Sequence, residues 1–227
     1  MGGRAHAPGP RGGTGPQPRG ILVVVERQPP APATAGRRQR RGIAVRDALV
    51  DVASDLFRER GVHAVGVDEI VARSGIAKST LYRWFPTKDD LIVAFLRRRD
   101  GQFWEQWDRV AAQHASDPEA ELDAQLGWIV AYVRSPDFRG CPFLNTTAEL
   151  ADREHPSRLV GLENKQQLRE RLGRICERLG VGEPAVLADH LEVAIEGAFA
   201  TSQVFGEGGP HERLVPMGRA LVASARG

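Results

Sequence analysis

Residues 61–91 read GVHAVGVDEIVARSGIAKSTLYRWFPTKDDL. Val67, Ile70 and Val71 mark a short amphipathic helix, Ser74-Gly75-Ile76-Ala77 interrupts it, and Leu81 and Phe85, four apart, resume the helical period. Pro86 stops the second helix, because its ring removes an N–H and clashes with the preceding turn. Thr87, ahead of Lys88, Asp89 and Asp90, supplies a cap oxygen and two first-turn acids for a further helix through Leu91, Ala94 and Phe95 and on past Trp104. Glu69, three residues after Gly66, is expected to reach back to the first amides of the short helix. Two short helices joined by a glycine-containing turn predict a helix-turn-helix in which Asp68–Arg73 braces Lys78–Phe85. Gly75 suits that turn, because the left-handed backbone that follows a helix end costs other residues energy.

In such a unit the second helix enters the major groove of double-stranded DNA. Leu81 and Phe85 face inward and fix its pose, which leaves Lys78, Ser79, Thr80, Tyr82, Arg83 and Trp84 outward. Hydroxyls bond bases or phosphates, aromatic rings pack on sugars, and Arg83 is the residue expected to bind guanine with both arms of its guanidinium. Lys88 opens the next helix, where free backbone amides already favour an anion, and is expected to anchor a phosphate. Taken singly, Tyr82 and Trp84 read equally well as half-buried packing residues and the lysines as solvated charges.

The 61–91 stretch resembles the N-terminal DNA-binding domain of TetR-family repressors. The resemblance implies three helical elements with the reading helix third, a homodimer that sets two such helices on a palindromic operator, and an all-helical C-terminal domain that takes a small-molecule inducer. Repression, too, is implied by the resemblance and not by the residues. Three positions depart from the family pattern: Gly66 stands where Thr or Ser is common, Val71 where the bracing helix has Ala, and Ser74 where a small apolar residue is usual. Gly in place of a hydroxyl cap at position 66 costs on the order of a few tenths of a kcal/mol.

Upstream, Val45, Leu49, Val52, Ala53, Leu56 and Phe57 form one apolar stripe of a helix from Ile43 to near Gly61. Residues 1–42 are rich in Gly and Pro and carry Arg4, Arg11, Arg19, Arg27, Arg37, Arg38, Arg40 and Arg41 against Glu26 alone. They read as a disordered basic extension. Its last arginines are placed to reach DNA backbone or a flanking minor groove, or else to stand in solvent; an upstream start codon chosen in error is a further alternative.

Downstream the pattern is helical throughout: 122–133, 142–150, 157–179 delimited by Pro156 and Gly180, 184–205, and about 211–224. No run alternates as a strand does. The segment Phe138–Leu150, FRGCPFLNTTAEL, resembles one found in a subgroup of TetR regulators, where it begins a helix lining the ligand cavity. Cys141, Phe143 and Asn145 are therefore candidate wall residues, joined by Trp107, Trp128 and Tyr132 from the preceding helices, since such cavities are mainly apolar with a few polar anchors. Core packing is the competing role of each aromatic. Cys141 is either an inert buried thiol or, if a nearby cation lowers its pKa, a redox sensor. By the same resemblance, 157–179 and 184–205 would pair with their copies in a four-helix dimer interface, with Gly197, Ala198 and Ala200 permitting close approach and Leu187, Leu191 and Ile195 turned to the core.

The 227 residues are 41% hydrophobic and 26% charged, with a net charge of +2 concentrated in the N-terminal extension. That is the composition of a globular protein, and no stretch approaches the roughly 18 apolar residues of a membrane span. Two isolated cysteines point to a reducing, cytoplasmic setting without disulfides. The scattered histidines lack ligand spacing and no phosphate-cradling glycine loop, HExxH or GxSxG occurs, so neither a metal site, a cofactor nor an enzyme is expected. The expected organisation is all-α: an extension at 1–42, a three-helix DNA-binding domain at 43–88, and a helical sensing and dimerisation domain at 89–227. The competing function is a helical ligand-binding or protein-interaction module whose helix-turn-helix no longer reads DNA.

Overall fold

The computed structural model describes residues 33–227, with side chains from Gln39 onward; most of the expected extension, 1–32, lies outside the described residues. Nine α-helices and one 3-10 turn make up the described chain, with no strand among them. They are α1 (Ala33–Arg60), α2 (Val67–Ser74), α3 (Lys78–Trp84), α4 (Lys88–Gln113), α5 (Pro118–Val133), α6 (Pro142–Glu149), α7 (Pro156–Leu179), α8 (Pro184–Phe205), the turn Pro210–Arg213, and α9 (Leu214–Ala225). The all-α expectation holds, and most starts follow from local chemistry. Proline opens α5, α6, α7 and α8, where its missing N–H would have had no partner. Asp117 caps α5 through the Glu119 and Ala120 amides, so this helix begins four residues before the expected Leu122. At α4 the Thr87 hydroxyl accepts from the Asp90 amide at 3.1 Å and Asp90 accepts in return from the Thr87 amide at 2.9 Å.

Two expectations fail here. The first helix starts at Ala33 rather than Ile43, because residues 33–42 (ATAGRRQRRG) are mostly good helix formers and the proline-rich stretch ends at Pro32. The second concerns Glu69, which does not turn back onto α2: Gly66 has no side-chain cap, and the Glu69 carboxylate pairs with Arg60 of α1 instead.

The core runs as one apolar body through both halves. Leu49, Ala53 and Phe57 of α1 meet Ile70, Leu81, Phe85 and the start of α4, with Phe57 and Phe95 edge to face at 5.6 Å. Further on, Leu122, Leu126 and Ile129 of α5 join Leu168, Leu172 and Ile175 of α7 and Leu187, Leu191 and Ile195 of α8. Helix α4 crosses between the halves without a break. Arg98 ties it to Asp47 and Asp51 of α1, while Arg97 meets Glu163 and Arg171 reaches back to Asp108. No helix among the described residues is long and apolar enough to cross a membrane.

Candidate nucleic-acid interface and sensing cavity

The turn between α2 and α3 is held by its own chemistry. Gly75 takes φ 65°, ψ 10°, and its N–H donates to the Val71 carbonyl at 3.0 Å. The Ser74 hydroxyl donates to the same carbonyl and accepts from the Ile76 amide at 3.2 Å, so this departure from the family pattern closes the turn. Leu81 is wholly buried and Phe85 nearly so. The pose of α3 is thus fixed by two apolar contacts four residues apart, as expected.

Lys78, Ser79, Tyr82 and Arg83 lie exposed on the opposite face. Arg83 makes no ion pair or side-chain hydrogen bond among the described residues, which leaves its whole donor fork available. Lys78 is paired with Asp68 at 2.6 Å, and the bond raises its pKa. Thr80 is half-buried. Trp84 corrects the expectation of an outward ring: it is half-buried against the early part of α1, where a Cβ at Gly42 would lie 3.3 Å from its Cζ2, and its indole N–H is buried without a partner among the described residues. Lys88 is half-buried, with its ammonium 3.4 Å from the His63 carbonyl, and desolvation lowers its pKa.

The His63 amide donates to the Glu149 carboxylate at 2.8 Å. The last turn of α6 therefore grips the loop that enters the helix-turn-helix. A side chain at Gly61 (φ 82°) would lie 2.6 Å from that carboxylate, so the close approach as well as the left-handed backbone requires glycine.

Two cavities border α6, one at its N-terminal end and one along its length from Pro142 to Glu149. The inner one, about 200 Å³, is lined by α4, α5, α6, α7 and α8 and has Phe103, Trp128, Tyr132, Cys141, Phe143 and Phe199 in its wall. The outer one, about 580 Å³, lies between α1 and the α5–α6 region and is bounded by Arg58, Phe95, Arg99, Tyr132, Arg139 and Asn145. Of the predicted wall residues, Trp128, Tyr132, Cys141 and Phe143 are thus brought together in the inner cavity. Asn145 is not among them: its amide donates to the Arg139 carbonyl at 2.7 Å and it faces the outer cavity. Trp107 lines neither, being 2% exposed and packed on Trp104 at 6.0 Å between ring centres.

Sequence reasoning missed Arg99, Asn164, Lys165 and Phe199, all in the inner wall. A signal was present for Arg99: three consecutive arginines, Arg97-Arg98-Arg99, cannot share one side of a helix turning 100° per residue. Lys165 donates to Glu196 at 2.5 Å and to the Cys141 sulfur at 3.5 Å. Burial works against its charge, but the Glu196 carboxylate beside it outweighs burial and raises its pKa. Burial likewise pushes the Cys141 thiol up, more than Lys165 draws it down, so the condition for a reactive thiolate is not met.

The sequence model of the bacterial regulatory proteins of the tetR family matches residues 49–95, from the buried stripe of α1 to the first half of α4. The HTH-type transcriptional activator FasR of Mycolicibacterium smegmatis is 44% identical over 62 residues, 27% of this chain and 26% of that protein. The fatty acid metabolism regulator protein of Bacillus subtilis is 28% identical over 71 residues, 31% of this chain and 37% of that protein. The matched stretch thus spans well under half the length of these relatives. The crystal structure of SCO4454, a TetR-family transcriptional regulator from Streptomyces coelicolor, superposes with a TM-score of 0.75 at 30% identity, covering 81% of this chain and 96% of that one. The chain belongs to the TetR family of transcriptional regulators. Within this TetR-family chain, the matched region holds α2, the turn and α3, while the two cavities are built mainly from helices that follow it. The relatives named above are regulators, not enzymes.

Proposed function

We propose that the protein is a ligand-responsive transcriptional repressor that binds a palindromic operator as a homodimer and releases it when a small-molecule inducer enters the cavity beside α6. The observation that carries the DNA-binding half is α3: an exposed Arg83, unpaired among the described residues, with Ser79 and Tyr82 on a helix pinned by Leu81 and Phe85. Arg40 and Arg41, exposed on the early turns of α1, would add sequence-independent attraction to the phosphates.

Dimerisation is supported by an apolar face on α7 and α8. Leu159 and Leu162 are more than half exposed, Val193 is 72% and Val204 80% exposed, and Gly197 and Ala200 lie between the valines. Ala198 is not part of that face; it is buried in the core beside Ile195. Two copies joined there would set two α3 helices on half-sites about 34 Å apart, so a small change of tilt is enough to spoil the match.

Ligand entry would reach the DNA-binding unit along two routes. Helix α4 carries Phe103 and Arg99 in the cavity wall and Lys88 at its start. Helix α6 carries Phe143 at one end and Glu149, on the His63 amide, at the other. If Glu149 holds the 61–66 loop, Glu149→Ala should speed amide hydrogen exchange at His63 by about tenfold, the equivalent of ~1.4 kcal/mol for a partly exposed charge-assisted bond. Exchange in α5 should stay unchanged. Unaltered exchange at His63 would dismiss the grip. The overall proposal is tested by equilibrium binding to inverted repeats beside the protein's own gene, where a salt-sensitive complex of two protomers per repeat is expected.

A further inference from the structure

Two cations stand in the wall of the inner cavity, and they differ in one respect. Lys165 is neutralised: Glu196 accepts from it at 2.5 Å, and its ammonium lies over the faces of Phe143 and Phe199 at 5.6 and 5.9 Å. Arg99 is not. Its two bonds go to neutral acceptors, the Tyr132 hydroxyl at 2.7 Å and the Gln102 amide oxygen at 3.1 Å, and among the described residues no carboxylate lies within ion-pair distance of it. Its neighbours in sequence are both paired, Arg97 with Glu163 and Arg98 with Asp47 and Asp51. The nearest acid in sequence, Asp100, is taken up by the Trp104 indole at 2.7 Å and the Asn164 amide at 2.9 Å.

A half-buried guanidinium beside aromatic rings, without a counter-ion, is electrostatically incomplete, because the missing solvation is not replaced by an opposite charge. Cys141, whose thiol stays protonated, does not supply one. The rings around it define the rest of the ligand: Phe103 and Trp128 lie 5.0 Å apart between centres and Trp128 stacks on Tyr132 at 6.2 Å, a wall suited to a flat apolar body.

We propose that the inner cavity selects an aromatic carboxylate, with the anion on Arg99 and the ring against Phe103, Trp128 and Phe143. The proposal rests on the reading of this cavity as the sensing site and names the chemistry it senses. A carboxylate takes two parallel N–H bonds from a guanidinium, so it displaces the neutral Tyr132 hydroxyl to which Arg99 donates. Arg99 and Tyr132, with Pro142, border the outer cavity too, so their bond lies between the two spaces. Breaking it moves a side chain of α4, the helix that leads to Lys88.

Isothermal titration of the full chain with naphthalene-2-carboxylate and its neutral counterpart naphthalene-2-carboxamide tests this. The carboxylate is expected to bind at least about tenfold more tightly than the amide, Arg99→Gln to erase that preference, and Tyr132→Phe to increase carboxylate affinity by removing the competing hydroxyl. Equal binding of the two probes, no binding of either, a preference that survives Arg99→Gln, or a weakened carboxylate affinity in Tyr132→Phe would each overturn it. If Arg99→Gln does not fold, the opposite-signed Tyr132→Phe result decides. Carboxylate binding that leaves operator affinity unchanged would preserve the anion site while refuting the sensing role, so the two failures are distinct.

Discussion

Arg83→Ala is expected to weaken operator binding by on the order of thirtyfold or more, without changing the melting temperature or the oligomeric state. A bidentate arginine–guanine pair contributes about 1–3 kcal/mol, and a dimer loses it twice, so the combined loss is about 2–6 kcal/mol. The fold should not respond, because Arg83 is exposed and bonds to no other side chain among the described residues. The effect should be uneven: the variant should lose most of its discrimination at one base pair of each half-site and retain its affinity for unrelated DNA. Fluorescence anisotropy against the operator and its single-base variants provides the check. Uniform weakening across all sequences would make Arg83 a phosphate contact, and base reading would then have to move to Ser79 or Tyr82.

Trp107→Ala is expected to act on stability instead. The ring is 2% exposed, sits 6.0 Å from Trp104 and 6.2 Å from Phe103, and the residue's carbonyl accepts from Gln125 at 2.9 Å. Removing a buried tryptophan costs about 3–5 kcal/mol, because the lost transfer energy is joined by an unfilled cavity. For a chain of this size that lowers the melting temperature by roughly 6–20 °C. Trp107→Phe keeps most of the apolar body and should lose distinctly less. A change of only a degree or two in Trp107→Ala by scanning calorimetry would contradict a core role and return this side chain to the cavity wall.

These two residues mark where the sequence was legible. The period of Leu81 and Phe85, the Gly75 turn and the Pro86 stop are local signals, and local signals survive into the structure. Arg83 is readable by the same logic. Trp84 is not, and the cause is traceable: its ring is covered by the part of α1 that precedes Ile43, where the sequence reading placed no helix. Helical spacing places Trp84 on the face of α3 but says nothing of what lies over it. Trp107 and Trp128 pose the same difficulty on α4 and α5, since a buried face and a cavity face carry the same aromatic composition, and only the packing of the other helices separates them. Cys141 and Phe143 line the inner cavity, yet Asn145, two residues beyond Phe143 and so about 200° further round the helix, faces the outer one. Arg99 and Lys165 were hidden among solvated charges. An uncompensated cation becomes visible only when its neighbours' partners are known.

The proposed function turns on α3, with Arg83, reading DNA as one half of a dimer. The measurement that bears on it most directly is anisotropy titration of the full chain against inverted repeats flanking its own gene, at several salt concentrations. A complex of two protomers per repeat is expected, at least about a thousandfold tighter than binding to scrambled DNA, with log affinity falling linearly with log salt. Equal affinity for repeat and scrambled DNA, or no complex at any salt concentration, would contradict it.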